Sequence, residues 1–189
     1  MVNIKEQRLL YHLTSVRNIP SILQHGLKPR SMMGSTIISD VADQEILKSR
    51  QTHNLDSYVP FHFFCKNPFD GRVQKDRQNE KFALITVQRS FAQNNNWKII
   101  PRHPLAGSLP SILDYDDGFN QIDWDIMNTK DYHDTDCKSV CMAECLSPGS
   151  VNISNFFKIW VCCEESKAII DGYTSNVIVE VKNGMFVST

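Results

Sequence analysis

The chain has 189 residues, 41% hydrophobic and 22% charged, which excludes a disordered or fibrous protein and suits a single domain over residues 1–189. The formal net charge of −1 excludes a general electrostatic attraction to nucleic acid and leaves only a local basic patch. No apolar run approaches membrane-spanning length, and charged residues interrupt the N-terminal segment where a secretory signal would be apolar. We therefore expect a cytoplasmic protein whose six cysteines stay reduced.

Three helices are predicted from their end signals. The first runs from about Ile19 to His25, because Asn18 can cap it and Gly26 can end it. A second is expected from about Val41 to Gln51, and a short third from Ser166 to Asp171. These helices are not spaced regularly between the predicted strands, which favours an α+β fold over a doubly wound sheet.

Strands are predicted where β-branched and aromatic residues dominate short apolar runs. The candidates are Leu9–Leu13, Val59–Phe64, Phe82–Gln88, Phe156–Cys163 and Val177–Val181. Asn183-Gly184 follows the last of these and precedes another apolar run, a typical hairpin signal. We therefore expect the chain to end on two antiparallel strands.

Two polar segments separate these elements. Asn67–Lys81 mixes basic and acidic residues, which is typical of a solvated loop. Pro101–Gln121 is rich in proline and glycine, and such a long connection in a compact domain is more often functional than idle.

Three apolar runs each contain one isolated polar group. These groups are His12, His62 and Glu144. A carboxylate or imidazole half-buried in a strand is costly unless it is paired, so three such strands favour a shared site. The alternatives are a hydrogen-bonded strand histidine for His12 and a structural ion pair with a lysine for Glu144.

Three cysteines recur at a spacing of four residues, namely Cys137, Cys141 and Cys145, with His133 one step earlier. On a helix they would share one face, so a metal site is conceivable. The spacing differs from the Cys-x-x-Cys of zinc sites, which favours small buried hydrophobic residues instead and no metal.

No glycine-rich nucleotide-binding motif and no Gly-x-Ser-x-Gly nucleophile motif is present. The order of several short segments instead resembles the DarT-type DNA ADP-ribosyltransferases, over residues Tyr11 to Val187. The segments are Tyr11–Thr14, Asn18–Leu23, Gly26-Leu27, Leu55–Phe63, Ile122–Trp124, Ala143-Glu144 and Asn183–Phe186.

The resemblance implies an ADP-ribosyltransferase-like fold, with split mixed and antiparallel β-sheets and flanking helices. It also implies an enzyme that splits NAD, its co-substrate, and attaches ADP-ribose to a base in single-stranded DNA, with thymine as the expected target. Such an enzyme would be a monomeric toxin whose partner is an antitoxin macrodomain protein that removes the mark.

The resemblance also assigns residues. Glu144 matches the catalytic glutamate and Arg50 its catalytic partner, although a helix-end cation is an alternative role for Arg50. Positions expected at the NAD site are His12, Thr14, Tyr58, Phe61 and His103. Phe61 is also a natural core residue, whatever the function.

The two polar segments, Asn67–Lys81 and Pro101–Gln121, are expected to flank the cleft that binds NAD and to bind single-stranded DNA. The residues expected to contact DNA are Arg72, Lys75, Arg77, Arg102 and Tyr115. One rival hypothesis keeps the enzyme class but moves the acceptor to another base, RNA or protein. A second is a non-catalytic nucleotide-binding module.

Overall fold

A mixed sheet of eight strands organises the protein in a computed structural model that describes residues 3–33, 48, 50–103, 111–173 and 177–187. Its strands are β1 (Leu9–Ser15), β2 (Val59–His62), β3 (Phe82–Gln88), β4 (Lys98–Ile100), β5 (Leu113–Asp114), β6 (Glu144–Ser147), β7 (Lys158–Val161) and β8 (Val179–Val181). Their order is β5-β4-β6-β2-β1-β3-β7-β8. Neighbouring strands are antiparallel except β7 and β8, which are parallel.

The sheet is split between β1 and β2. Strand β1 pairs with β3 along its whole length, from Leu9 to Ser15, but meets β2 at a single register pair, Tyr11 with His62. The strands therefore join at one point and open beyond it. This confirms the expected α+β fold with a split sheet.

Short helices flank the sheet. They are α1 (Ile19–His25), α2 (Pro68–Asp76), α3 (Arg89–Asn94), α4 (Tyr115–Gln121), α5 (Trp124–Thr129), α6 (Thr135–Val140) and α7 (Glu164–Asp171). Helix α1 has the predicted bounds and ends at Gly26, whose φ of 76° suits glycine. Asn18 makes no capping hydrogen bond and donates to Thr14 instead.

The helix predicted at Val41–Gln51 falls mostly outside the described residues, but residues 50–52 are helical. None of the helices in the described ranges is long and apolar enough to cross a membrane.

Hydrophobic side chains alternate between two cores, one on each face of the sheet. Leu10 and Ile85 belong to the larger cluster, while Tyr11 and Leu84 belong to the smaller one. Helix α2 covers the smaller cluster through Val73. The period-two alternation of a strand explains why neighbouring residues serve different cores.

Two predictions about polar segments are wrong. Asn67–Lys81 is not a loop, because the Asn67 side chain accepts a hydrogen bond from the Asp70 amide and so starts helix α2. Pro101–Gln121 is not one long connection either, since its second half forms β5 and α4. In both segments polar sequence concealed a short helix that is stabilised by packing on the sheet.

The predicted terminal hairpin is also wrong. Helix α7 carries the chain across so that β8 lies parallel to β7 at the edge of the sheet. Asn183–Met185 then forms a single 3-10 turn, and Met185 and Phe186 are buried in the smaller core. Burial of these two side chains competes with strand pairing and prevails.

The three evenly spaced cysteines do not share a helix face. Helix α6 ends at Val140, so Cys137 lies in the helix, Cys141 after it and Cys145 in β6. All three are buried as small hydrophobic residues. Within the described ranges, no group of histidine, cysteine or acidic residues is arranged to hold a metal ion.

Candidate active site

A buried ion pair between Glu144 and Arg50 lies at the centre of the site. Nη1 of Arg50 donates to both carboxylate oxygens of Glu144, at 2.9 and 2.8 Å, and Nη2 donates to the Leu55 carbonyl at 3.4 Å. Their side chains are only 11% and 9% exposed. The partner of Glu144 is therefore the predicted arginine and not a lysine, and the pair holds the carboxylate in one orientation.

His12 lies in β1 at the mouth of the split. Its Nδ1 is 2.8 Å from the Pro60 carbonyl oxygen, which can only accept, so Nδ1 carries the proton and Nε2 is the acceptor. Burial lowers the pKa of His12 to about 4, and the cation of Arg50 contributes in the same direction. His12 is therefore neutral at physiological pH.

Two further histidines surround the ion pair. His62 is the cross-strand neighbour of Glu144, and its Nδ1 is 3.1 Å from the Ala143 carbonyl oxygen. The backbone amide of His103 donates to the Ser139 carbonyl at 2.8 Å. Burial lowers the pKa of both histidines, and the charge of Glu144 opposes the shift at both. The site thus combines one paired carboxylate with three histidines whose neutral forms are favoured.

The other residues predicted at the NAD site differ in their exposure. Thr14 follows His12 on the same face of β1, and its hydroxyl accepts a hydrogen bond from Asn18. Tyr58 is half-buried just before β2. Phe61 is fully buried with its ring centroid 5.5 Å from that of His12, so it supports the histidine from the core.

Helix α2 carries part of the predicted DNA surface. Arg72 and Lys75 are exposed on it, and Arg72 lies 3.5 Å from Asp76. The helix reaches the site through Phe69, whose ring centroid is 5.8 Å from that of His62. The first turn of α2 therefore lies beside His62, the cross-strand neighbour of Glu144.

The remaining residues that were predicted to contact DNA are either paired with acids or buried, so they are less available to DNA. Arg77 pairs with Glu80 at 3.4 Å, and Arg102 pairs with Asp136. Tyr115 is only 7% exposed and stacks on Phe119 within the larger core, so its ring is a core element rather than a surface for a base, contrary to expectation.

Sequence reasoning noticed His62 as an isolated polar residue but assigned it no role. The available signal was its position in a strand of aromatic residues, between Phe61 and Phe63. Its significance depends on the register that places it opposite Glu144, and no local pattern encodes that register.

Comparison with known proteins gives one consistent picture. A family model described as "ssDNA thymidine ADP-ribosyltransferase, DarT" matches residues 11–187. The structure of Thermus sp. 2.9 DarT in complex with ADP-ribosylated ssDNA is similar, with a TM-score of 0.81, 17% identity, and coverage of 96% of this chain and 97% of that chain.

Two more solved structures share the fold. Thermus sp. 2.9 DarT in complex with NAD+ has a TM-score of 0.77 and 16% identity, covering 96% of this chain and 98% of that one. Thermosipho africanus DarTG in complex with ADP-ribose has a TM-score of 0.76 and 22% identity, covering 95% of this chain but only 51% of that one. Comparison with curated proteins found no match.

Proposed function

The chain belongs to the DarT family of ssDNA thymidine ADP-ribosyltransferases. We propose that its ion pair of Glu144 and Arg50 catalyses transfer of ADP-ribose from NAD to thymine in single-stranded DNA. The observation that carries this proposal is the buried carboxylate held by Arg50 at the split of the sheet. The whole chain, residues 1–189, acts as one domain in this proposal.

Glu144 stabilises the charge that the reaction creates. NAD supplies the ribose carbon that is attacked and nicotinamide as the leaving group, and cleavage of their bond builds positive charge on the ribose. A carboxylate fixed in advance stabilises that charge more in the transition state than in the ground state. Arg50 keeps the carboxylate in place, and the Glu144 carboxylate also accepts the proton that leaves the base nitrogen.

His12 and Thr14 orient the ribose and nicotinamide of NAD in this proposal. Since Nδ1 of His12 donates to Pro60, its Nε2 accepts from a ribose hydroxyl. The low pKa of His12 keeps this acceptor unprotonated. Tyr58 and His103 complete the NAD site, and Phe61 holds the His12 ring from behind.

The biological setting is a proposal by resemblance. The chain is a monomeric, cytoplasmic toxin, and its partner is an antitoxin macrodomain protein that removes the mark. The additional length of the Thermosipho DarTG chain, of which this chain covers 51%, supports a second functional unit in at least one relative.

Mass spectrometry of defined oligonucleotides tests the function. With NAD, the protein should add ADP-ribose to single-stranded oligonucleotides that contain thymine and leave thymine-free controls unmodified. Modification of another base, of RNA or of a protein would support the rival hypothesis of a different acceptor. NAD binding without any transfer would support the non-catalytic module.

Glu144→Gln tests the site. The amide keeps the shape and an acceptor for Arg50 but loses the negative charge, so transfer should fall by at least about 10²–10³-fold. NAD affinity measured by calorimetry should change little. Transfer at the wild-type rate would remove Glu144 from the mechanism.

A further inference from the structure

We propose that His62 is a positioning residue for Glu144, because its Nδ1–H holds the Ala143 carbonyl and so fixes the start of β6, from which the carboxylate projects. The inference rests on the proposed function only for its kinetic readout. His62 would act through Glu144 and would not need to contact either substrate.

Strand register places His62 next to the carboxylate. Tyr11, His62 and Glu144 are register partners across β1, β2 and β6, so their side chains emerge on the same face of the sheet. Cross-strand partners have Cβ atoms about 4.5–5.5 Å apart. His62 also occupies the register pair at which β1 meets β2, where a shift of β2 would change the width of the split.

The hydrogen bond acts on the turn that leads into Glu144. Between α6 and β6 the chain turns through Met142 and Ala143, whose amides donate to the carbonyls of Ser139 and Val140. The Ala143 carbonyl, immediately before Glu144, lies 3.1 Å from Nδ1 of His62. This side-chain bond therefore ties the turn to β2 and restricts where the Glu144 backbone begins.

Packing and charge keep the imidazole in this role. His62 is 7% exposed, and Phe69 of α2 covers its ring. Burial lowers the pKa of His62, with Arg50 and His103 acting in the same direction and Glu144 and the Ala143 bond opposing them. A neutral donor suits the position, because a second cation beside Glu144 would compete with Arg50 for the carboxylate.

Three substitutions of His62 test which of its two ring nitrogens is required. Asparagine places its amide nitrogen near the position of Nδ1, glutamine places its own near Nε2, and phenylalanine supplies no donor. His62→Phe should lower kcat on the order of 10²-fold, the size expected for a small displacement of a catalytic group, with unchanged NAD affinity. His62→Asn should restore kcat to within a few-fold of wild type, and His62→Gln should not.

Hydrogen exchange of the segment 139–147 gives a readout independent of transfer. Exchange should be faster than wild type in His62→Phe and His62→Gln and near wild type in His62→Asn. His12→Ala serves as a control for calorimetry, because it should weaken NAD binding where the His62 variants do not.

The outcomes separate this inference from the proposed function. If wild type transfers nothing while exchange follows the expected order, the function fails and the positioning role stands. Rescue by glutamine rather than asparagine, wild-type exchange in all three variants, or loss of NAD affinity in step with kcat would each overturn the role of His62. If His62→Phe does not fold, the comparison of asparagine with glutamine still decides.

Discussion

Individual buried polar residues differ in whether they have partners. Glu144 is satisfied by Arg50, whereas Asp70 in α2 is 1% exposed and neither of its carboxylate oxygens has a well-formed hydrogen bond from the described part of the chain. Burial raises the pKa of Asp70 from 3.8 to about 7, which the nearby Asn67 side chain and Lys66 backbone only partly oppose. Asp70 therefore destabilises the fold once it ionises.

Asp70→Asn should make the protein more stable at pH 8 and reduce its dependence on pH. The unfolded chain loses the Asp70 proton near pH 4 and the folded protein near pH 7, so wild type loses stability as the pH rises through this window. The loss is at most on the order of 4 kcal/mol, at about 1.4 kcal/mol per pKa unit. Urea unfolding at pH 4, 5.5 and 8 measures it.

Asp76→Asn is the matched control, since Asp76 lies on the same helix but is exposed. Because the Asp76 side chain is exposed, Asp76→Asn should not reproduce the stabilisation at pH 8 that is expected for Asp70→Asn. A stability gap between Asp70→Asn and wild type that is equal at pH 4 and pH 8 would show that Asp70 has an ordinary pKa.

Packing contacts connect helix α4 through β4 to Glu144 in β6. Helix α4 approaches β4 at Gly118, where an added Cβ would lie 2.5 Å from the Cβ of Ile99. Ile99 pairs with Cys145, and the next residue of β4, Ile100, pairs with Glu144. A displacement of α4 would therefore reach β6, the strand of Glu144, through one register pair.

Gly118→Ala should destabilise the protein by about 1–3 kcal/mol, because the new methyl group overpacks this contact. It should also lower kcat by shifting β4 and β6. Gly71→Ala is the control: it lies in α2 with no atom within 4 Å of its added Cβ, so it should stabilise by about 0.4–1 kcal/mol. Thermal melting compares the two, and equal stability of the two variants would contradict the close approach.

The small net charge of the whole molecule limits its non-specific electrostatic attraction to DNA. The net charge is −1, and several exposed cations are already paired with acids, as Arg72 is with Asp76 and Arg102 with Asp136. The paired acids partly cancel the positive potential of these cations. Affinity for DNA should therefore depend on a few specific contacts near the candidate active site. Lys75 on α2 belongs to this surface in the proposed complex.

Single-stranded DNA affinity should therefore depend weakly on salt, with only about two or three counterions released. Modification should also require an unpaired base, because flipping a base out of a duplex costs a few kcal/mol. Titrations at several NaCl concentrations, with single-stranded and duplex forms of one oligonucleotide, measure both. A steep salt dependence or equal modification of the two forms would refute this description.

The sequence by itself determined features that neighbouring residues encode. Short apolar runs located β1 and β3, end signals located α1, and isolated polar residues marked His12 and Glu144. These features follow from local composition and from helix-end residues such as Gly26, whose effects extend over only a few residues.

Tertiary structure alone decided which distant groups meet. Glu144 and Arg50 are 94 positions apart, and strand register, rather than any local pattern, places His62 opposite Glu144. Packing on the sheet likewise turned a polar segment into α2 and placed Tyr115 in the core. The reason is physical: burial and strand pairing act between surfaces that come together only when the chain folds, so their contribution overrides weak local preferences.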